Sequence, residues 1–184
     1  LAKTLVRIGN GFGKETIGFI TDMNQPLGVA IGNWLEVVES VECLRGKLGK
    51  LDLSSDLMEL TLVLAGEMIY LGKKAPSIQE GIVLCKQTIE DGSAFKKFLE
   101  LVEAQGGDVS FIENLEKYPI SSFSLEVKAS DRGYIGEIDS LELGLASITL
   151  GAGRQRIDEA IDPKAGIILK KKVGDSVDAG DTIA

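Results

Sequence analysis

TDMNQPLGVAIGN, residues 21–33, decides how the first half of the chain is read. Its start is polar, and Pro26, Gly28 and Gly32 interrupt it too often for a single helix. Its punctuation is too regular for a linker. Just upstream, TIGFIT (residues 16–21) is short, apolar and rich in β-branched and aromatic side chains, the composition of a buried strand. Just downstream, Asn33 is a good N-cap and Glu36 stands three residues further on, as in a capping box. The stretch therefore reads as the connection from a buried strand to a helix over residues 34–44. Leu35, Val38 and Cys43 lie near one side of that helix, and Glu36, Glu39 and Glu42 cluster on another. Helix, strand and helix in succession predict an α/β architecture.

Further helices are predicted on both sides. Residues 1–9 read as the end of an amphipathic helix closed by Gly9, Gly11 and Gly13. Residues 55–71, capped by Ser54 or Ser55, are apolar nearly all round and so predict a buried helix. Ser77 follows Pro76 and precedes Glu80 by three residues, which starts a helix over 77–90. SAFKKFLELVEAQ (93–105) is amphipathic, with Phe95, Phe98, Leu99 and Val102 as its core face, and Gly106-Gly107 ends it.

The character changes near Pro119. SFSLEVKA alternates as a strand does, GYIGEID reads as a second strand, and residues 140–150 read as a helix capped by Ser140. AGIILKKKVGDSVDAGDTIA reads as strand, a GDxxxxGD turn segment, then a further strand. The expected organisation is an α/β part over residues 1–117 and an α+β part over 118–184, the latter with a carrier-like β-sandwich. Leu1 already follows helical spacing, and the last residues stop inside an apolar run. Both ends read as cuts through structure, so the chain is expected to be a truncated piece of a longer protein.

Composition narrows the chemistry. The net charge of −8 disfavours nucleic acid and anionic lipid as partners. No apolar run approaches the ~20 residues of a transmembrane helix, and the first residues lack the apolar core of a signal peptide. The 184 residues contain no histidine, which excludes Ser-His-Asp and Cys-His catalysis and a His-ligated zinc site. Cys43 and Cys85 each sit in an apolar helical pattern and read as two buried thiols of a reducing cytoplasm.

Several motifs carry little. GNGFG (9–13) follows a helix and precedes a strand, the reverse of a dinucleotide loop. GAGR (151–154) follows a helix and reads as its terminating turn. The run Lys170-Lys171-Lys172 reads as a solvated strand edge. The acidic row Glu36, Glu39, Glu42, taken alone, reads as a solvated helix face. The last fifteen residues resemble the hairpins of biotinyl and lipoyl carrier domains, but Lys164 in DPKAG lacks the flanking pattern of a modified lysine.

TDMNQPLGVAIGNWLEVVESVECLRG closely resembles the pyrimidine-nucleoside and thymidine phosphorylase family. EMIYLGK (67–73), EAQGG (103–107), GYIGEID (133–139), LGAGR (150–154) and the closing KKKVGD and GD turns follow in the family's order. The resemblance runs essentially end to end. It implies a parent enzyme, a cytoplasmic homodimer, that cleaves the N-glycosidic bond of thymidine, uridine or deoxyuridine with phosphate. It also implies a family whose C-terminal domain contains a carrier-like sandwich. The family's Lys-His-Ser-Thr-Gly-Gly phosphate loop and its Lys-Val-Gly-Ser-Gly base-reading segment do not occur in these residues. No catalytic or substrate-binding residue is therefore assigned here, and the chain alone is expected to be inactive.

The resemblance does assign a monovalent cation site, with potassium as the expected ion. Leu27 and Ala30 would bind through backbone carbonyls and Glu39 through its carboxylate; in the chain alone the site is expected to be at best half built. Spacing constrains it. In an unbroken helix Ala30 and Glu39 would stand ~13 Å apart along the axis, so a break at Gly32-Asn33 is required. The rivals are a non-catalytic carrier or binding module built on residues 119–184, and a related phosphoribosyltransferase, which lacks such a C-terminal extension.

Overall fold

The computed structural model describes residues 1–47 and 54–184. Helices dominate, joined by two small antiparallel sheets. In chain order the elements are α1 (Ala2–Gly11), β1 (Ala30–Ile31), α2 (Asn33–Leu44), α3 (Ser55–Leu71), α4 (Ile78–Glu90), α5 (Ser93–Ala104) and α6 (Val109–Glu113). A 3-10 turn (Leu115–Lys117), β2 (Gly133–Tyr134), α7 (Ser140–Thr149), β3 (Ile167–Ile168) and β4 (Ser176–Val177) follow. Among the described residues no helix is long and apolar enough to cross a membrane.

α2 is the hub. Val41 is fully buried on it, with Cys43 beside it, and Val29, Ala30, Ile112 and Leu169 complete the nearby core. At its start, Trp34 stacks on Tyr118 with ring centroids 4.0 Å apart, and its backbone N–H donates to Pro163 O at 3.0 Å. At its end, the Arg45 guanidinium donates to the carbonyls of Ile112 and Glu113 and lies 4.6 Å over the Phe95 ring. One helix thus anchors α5, α6 and the C-terminal segment together.

Two expectations about α2 need correction in detail. The N-cap is Gly32, at φ 135°, not Asn33. The reciprocal half of the capping arrangement survives one residue out of register: the Glu36 carboxylate accepts the Gly32 N–H at 3.0 Å. A Cβ at residue 32 would lie 2.4 Å from Ala165 O, so glycine here serves the close approach of the β3 segment.

Residues 16–21 form no strand. A strand is held by its neighbours' hydrogen bonds, and among the described residues none pairs with this run. The strand instead falls inside the opening stretch, where Ala30 and Ile31 pair with Ile168 and Ile167.

α3 is not buried as its composition suggests: Met68 is 72% exposed, and only Gly66 and Glu67 are buried. An all-round apolar helix needs neighbours all round, and its main partner here is α4. That contact is close. A Cβ on Gly81 would stand 2.4 Å from Gly66 O, and one on Gly66 2.6 Å from Ile82 Cγ1. The start of α4 is as predicted, with Ser77 Oγ accepting the Glu80 N–H at 3.2 Å. On α5, Phe95, Phe98, Leu99 and Val102 are half-buried, the innermost positions of that helix but not a closed core.

In the C-terminal part, residues 127–129 pair with the chain end: Val127 N–H donates to Ala184 O and Ala129 N–H to Asp181 O. β2 pairs with β4, Gly133 opposite Val177. α7 is capped by Asp139, whose carboxylate accepts the N–H groups of Leu141 and Glu142, and not by Ser140. In the GDxxxxGD segment each aspartate closes its own turn: Asp175 accepts the Lys172 N–H at 2.7 Å and Asp181 accepts the Asp178 N–H at 3.1 Å.

Candidate functional site

Three separate parts of the chain, α2, the start of α3 and the C-terminal segment, converge on residues 26–30. From α2 comes Glu39, only 6% exposed. Its Oε1 accepts the Val29 N–H at 2.8 Å and the Ser54 hydroxyl at 2.5 Å, and its Oε2 accepts the Ala30 N–H at 3.2 Å. Ser54, at the N-cap of α3, is fully buried and spends its hydroxyl on Glu39 instead of on its own helix. From the first turn of α3 comes Asp56, whose Oδ1 accepts the Gly28 N–H at 3.2 Å. From the C-terminal segment comes Lys172, buried, whose ammonium donates to Pro26 O at 2.5 Å and Gly28 O at 2.6 Å and lies 2.9 Å from Asp56 Oδ2. Gln25 Oε1 accepts the Val173 N–H beside it.

The turn takes its shape from Gly28, at φ 67°. A Cβ there would stand 2.6 Å from Glu39 Oε1, so the carboxylate packs directly against the glycine backbone. With the chain turned in this way, the backbone of residues 28–30 presents consecutive N–H groups to two carboxylates.

Of the three sequence-predicted site residues, the structure brings Ala30 and Glu39 together, and α2 begins at Asn33 after the break that their meeting requires. Their direct contact is through the Ala30 N–H. Leu27 is 46% exposed and sits between the two residues whose carbonyls Lys172 takes. The acidic row is not a uniformly solvated face, because Glu39 points inward at the turn. Lys172 likewise departs from the solvated edge formed by Lys170: the backbone turns at Lys172, held by Asp175, and that rotates the side chain inward. Asp56 carries no local motif, and neither the cap reading of Ser54 nor the lysine-run reading of Lys172 marks them for this turn.

The charges at the turn do not balance. Glu39 and Asp56 bring two negative charges to the turn, and Lys172 brings one positive. No Lys or Arg among the described residues forms an ion pair with Glu39. A carboxylate offers about four lone-pair positions, and three donors occupy those of Glu39. A buried carboxylate without a counter-charge receives a cation readily. No group of three His, Cys, Asp or Glu side chains converges anywhere among the described residues.

Cys43, one turn along α2 from Glu39, is inert by construction. Burial first, then the negative charges of Glu39 and Glu42, push its thiol from the ordinary 9.0 up to about 11. Burial also raises Cys85. A thiol whose folded pKa is raised stabilises the fold fully below pH 9, and that contribution is lost as pH rises from 9 through 11. At pH 8, two units leave about 100-fold less thiolate than in a free cysteine. Ellman's reagent on the native chain should therefore modify Cys43 at least about 100-fold more slowly than in 6 M guanidinium. Lys164 lies in a turn where its own N–H donates to Asp162, with its ammonium 3.8 Å from that carboxylate.

The sequence profile of the glycosyl transferase family a/b domain matches residues 1–95, and that of the pyrimidine nucleoside phosphorylase C-terminal domain matches residues 134–184. The chain is 42% identical over 183 residues to pyrimidine-nucleoside phosphorylases of Staphylococcus aureus strains bovine RF122 / ET3-1 and USA300. The match covers 100% of this chain and 41% of each relative. With its profile matching more than half of the chain, the protein belongs to the glycosyl transferase family, and its last part carries the match to the pyrimidine nucleoside phosphorylase C-terminal domain.

Proposed function

We propose that this chain supplies the later α/β region (1–117) and most of the C-terminal domain (118–184) of a pyrimidine-nucleoside phosphorylase. The enzyme cleaves uridine, thymidine or deoxyuridine with phosphate, releasing the free base and a pentose 1-phosphate. Phosphate attacks the anomeric carbon directly, so the protein positions the partners and stabilises the departing base without a covalent nucleophile. The phosphate- and base-reading segments lie outside these 184 residues. A cytoplasmic homodimer and a carrier-like C-terminal sandwich complete the reading; the pairing of residues 127–129 with the chain end supports the latter.

Within that enzyme, the 26–30 turn holds potassium through the carbonyls of Leu27 and Ala30 and the carboxylate of Glu39. Bound there, the ion supplies fixed positive charge that braces the neighbouring phosphate loop. The observation that carries this reading is the buried Glu39 carboxylate, anchored on the turn backbone and lacking an ion-pair partner among the described residues. Glu39 orders residues 28–30, Ser54 fixes the carboxylate rotamer, and Asp56 with Lys172 holds the other side of the turn.

The test is phosphate-dependent release of uracil from uridine, or thymine from thymidine, followed by base absorbance. The full-length enzyme should release base and the isolated 184-residue chain should not. Turnover by the isolated chain would sink the assignment of chemistry to other segments. The carrier alternative would show itself as biotin or lipoate mass on Lys164 of the native protein, and none is expected.

A further inference from the structure

Lys172 is the one buried lysine among the described residues, and every contact of its ammonium is to oxygen: Pro26 O, Gly28 O and Asp56 Oδ2, at 2.5, 2.6 and 2.9 Å. Its three donors meet three acceptors. Two of those are backbone carbonyls of the turn, and the third is the carboxylate that also accepts the Gly28 N–H. Backbone carbonyls plus one carboxylate make the donor set of a weakly hydrated monovalent ion, and an ammonium group is close to potassium in size. Lys172 lies 146 positions after Pro26, so this ion arrives on the C-terminal segment.

We propose that Lys172 is a positioning residue that serves the 26–28 turn as a built-in monovalent cation. The oxygen pocket it fills becomes a site for ammonium or potassium once the side chain is removed. This pocket is distinct from the Glu39 side of the turn, with which Lys172 forms no ion pair. It makes the order of the cation-bearing turn conditional on docking of the C-terminal segment, with Val173 N–H on Gln25 as a second latch.

Thermal unfolding of wild-type, Lys172→Ala and Lys172→Met chains in ammonium, potassium or tetramethylammonium chloride of equal ionic strength tests it. Breaking a buried ion pair should lower Tm of both variants by about 6–12 °C in tetramethylammonium chloride. Lys172→Ala leaves the oxygens and the space, so roughly 0.3 M ammonium should return about 2–4 °C of that loss for a Kd near 50 mM, beyond any shift of the wild type. Lys172→Met fills the space without charge and should gain nothing from ammonium. Equal salt responses of the two variants, or a Lys172→Met chain as stable as wild type, would overturn the proposal.

Labelling the wild-type chain gives a reading that needs no folded variant. Reductive dimethylation with formaldehyde and cyanoborohydride, then peptide mass spectrometry, should mark Lys170 and spare Lys172 until the chain is unfolded. Equal labelling of the two in the native chain would show that the ammonium is not held, and the proposal would fail.

Discussion

Glu39→Ala should destabilise the chain by about 3–5 kcal/mol, lowering Tm by about 6–20 °C. The substitution removes one carboxylate but strands three donors, the N–H groups of Val29 and Ala30 and the Ser54 hydroxyl. All three sit where water does not replace the lost acceptor, because Val29, Ala30 and Ser54 are buried. The cost is therefore desolvation of orphaned groups, not merely loss of the bonds. Glu39→Gln separates shape from charge. Its amide oxygen satisfies one side of the carboxylate's partners, while its NH2 meets donors on the other, so about 1–3 kcal/mol should be lost. Amide exchange localises the effect: Val29 and Ala30, protected in the wild type, should exchange fast in Glu39→Ala while α4 stays protected. Uniform loss of protection would mean that the carboxylate holds the whole fold and not this turn.

Gly81→Ala should be the most damaging methyl addition on the helical side. In a helix interior, alanine gains about 1 kcal/mol over glycine. Here the new Cβ would stand 2.4 Å from the backbone carbonyl of Gly66, which cannot rotate away as a side chain can. Overpacking of that kind costs about 3 kcal/mol, so the steric term wins and a net loss of about 2 kcal/mol is expected in urea unfolding. Gly144 is the control. It lies within α7, and a Cβ there meets nothing within 4 Å. Gly144→Ala should therefore be stabilising by about 0.5–1 kcal/mol. The same substitution in two helices should thus carry opposite signs, and equal signs would show that α3 and α4 are not in the close contact described.

These two sites mark what a sequence discloses and what it withholds. The α4 start was legible because its cap is local: Ser77 and Glu80 are three residues apart, and the hydrogen bond between them needs nothing else. The break at Gly32-Asn33 was legible for the same reason, and with it the possibility that Ala30 meets Glu39. The capping atom was not, because Gly32 was selected by the approach of Ala165, more than a hundred residues away. Residues 16–21 have the composition of a strand but lack, among the described residues, the pairing that makes one. Lys172 looked like its neighbours Lys170 and Lys171 until a turn closed by Asp175 rotated it inward. Ser54 looked like a helix cap until the Glu39 carboxylate, fifteen residues back, took its hydroxyl. Local hydrogen bonds could be read from the sequence; convergence of distant segments on one turn could not.

The most direct test of the central claim compares steady-state phosphorolysis of uridine or thymidine by the full-length enzyme in potassium chloride and in tetramethylammonium chloride, for wild type and Glu39→Gln. The expected result is phosphate-dependent base release by the wild type that rises with potassium, and loss of that potassium response in Glu39→Gln. Base release with the same potassium dependence in both proteins would contradict the cation role of Glu39, and no phosphate-dependent base release from either nucleoside would contradict the enzymatic assignment itself.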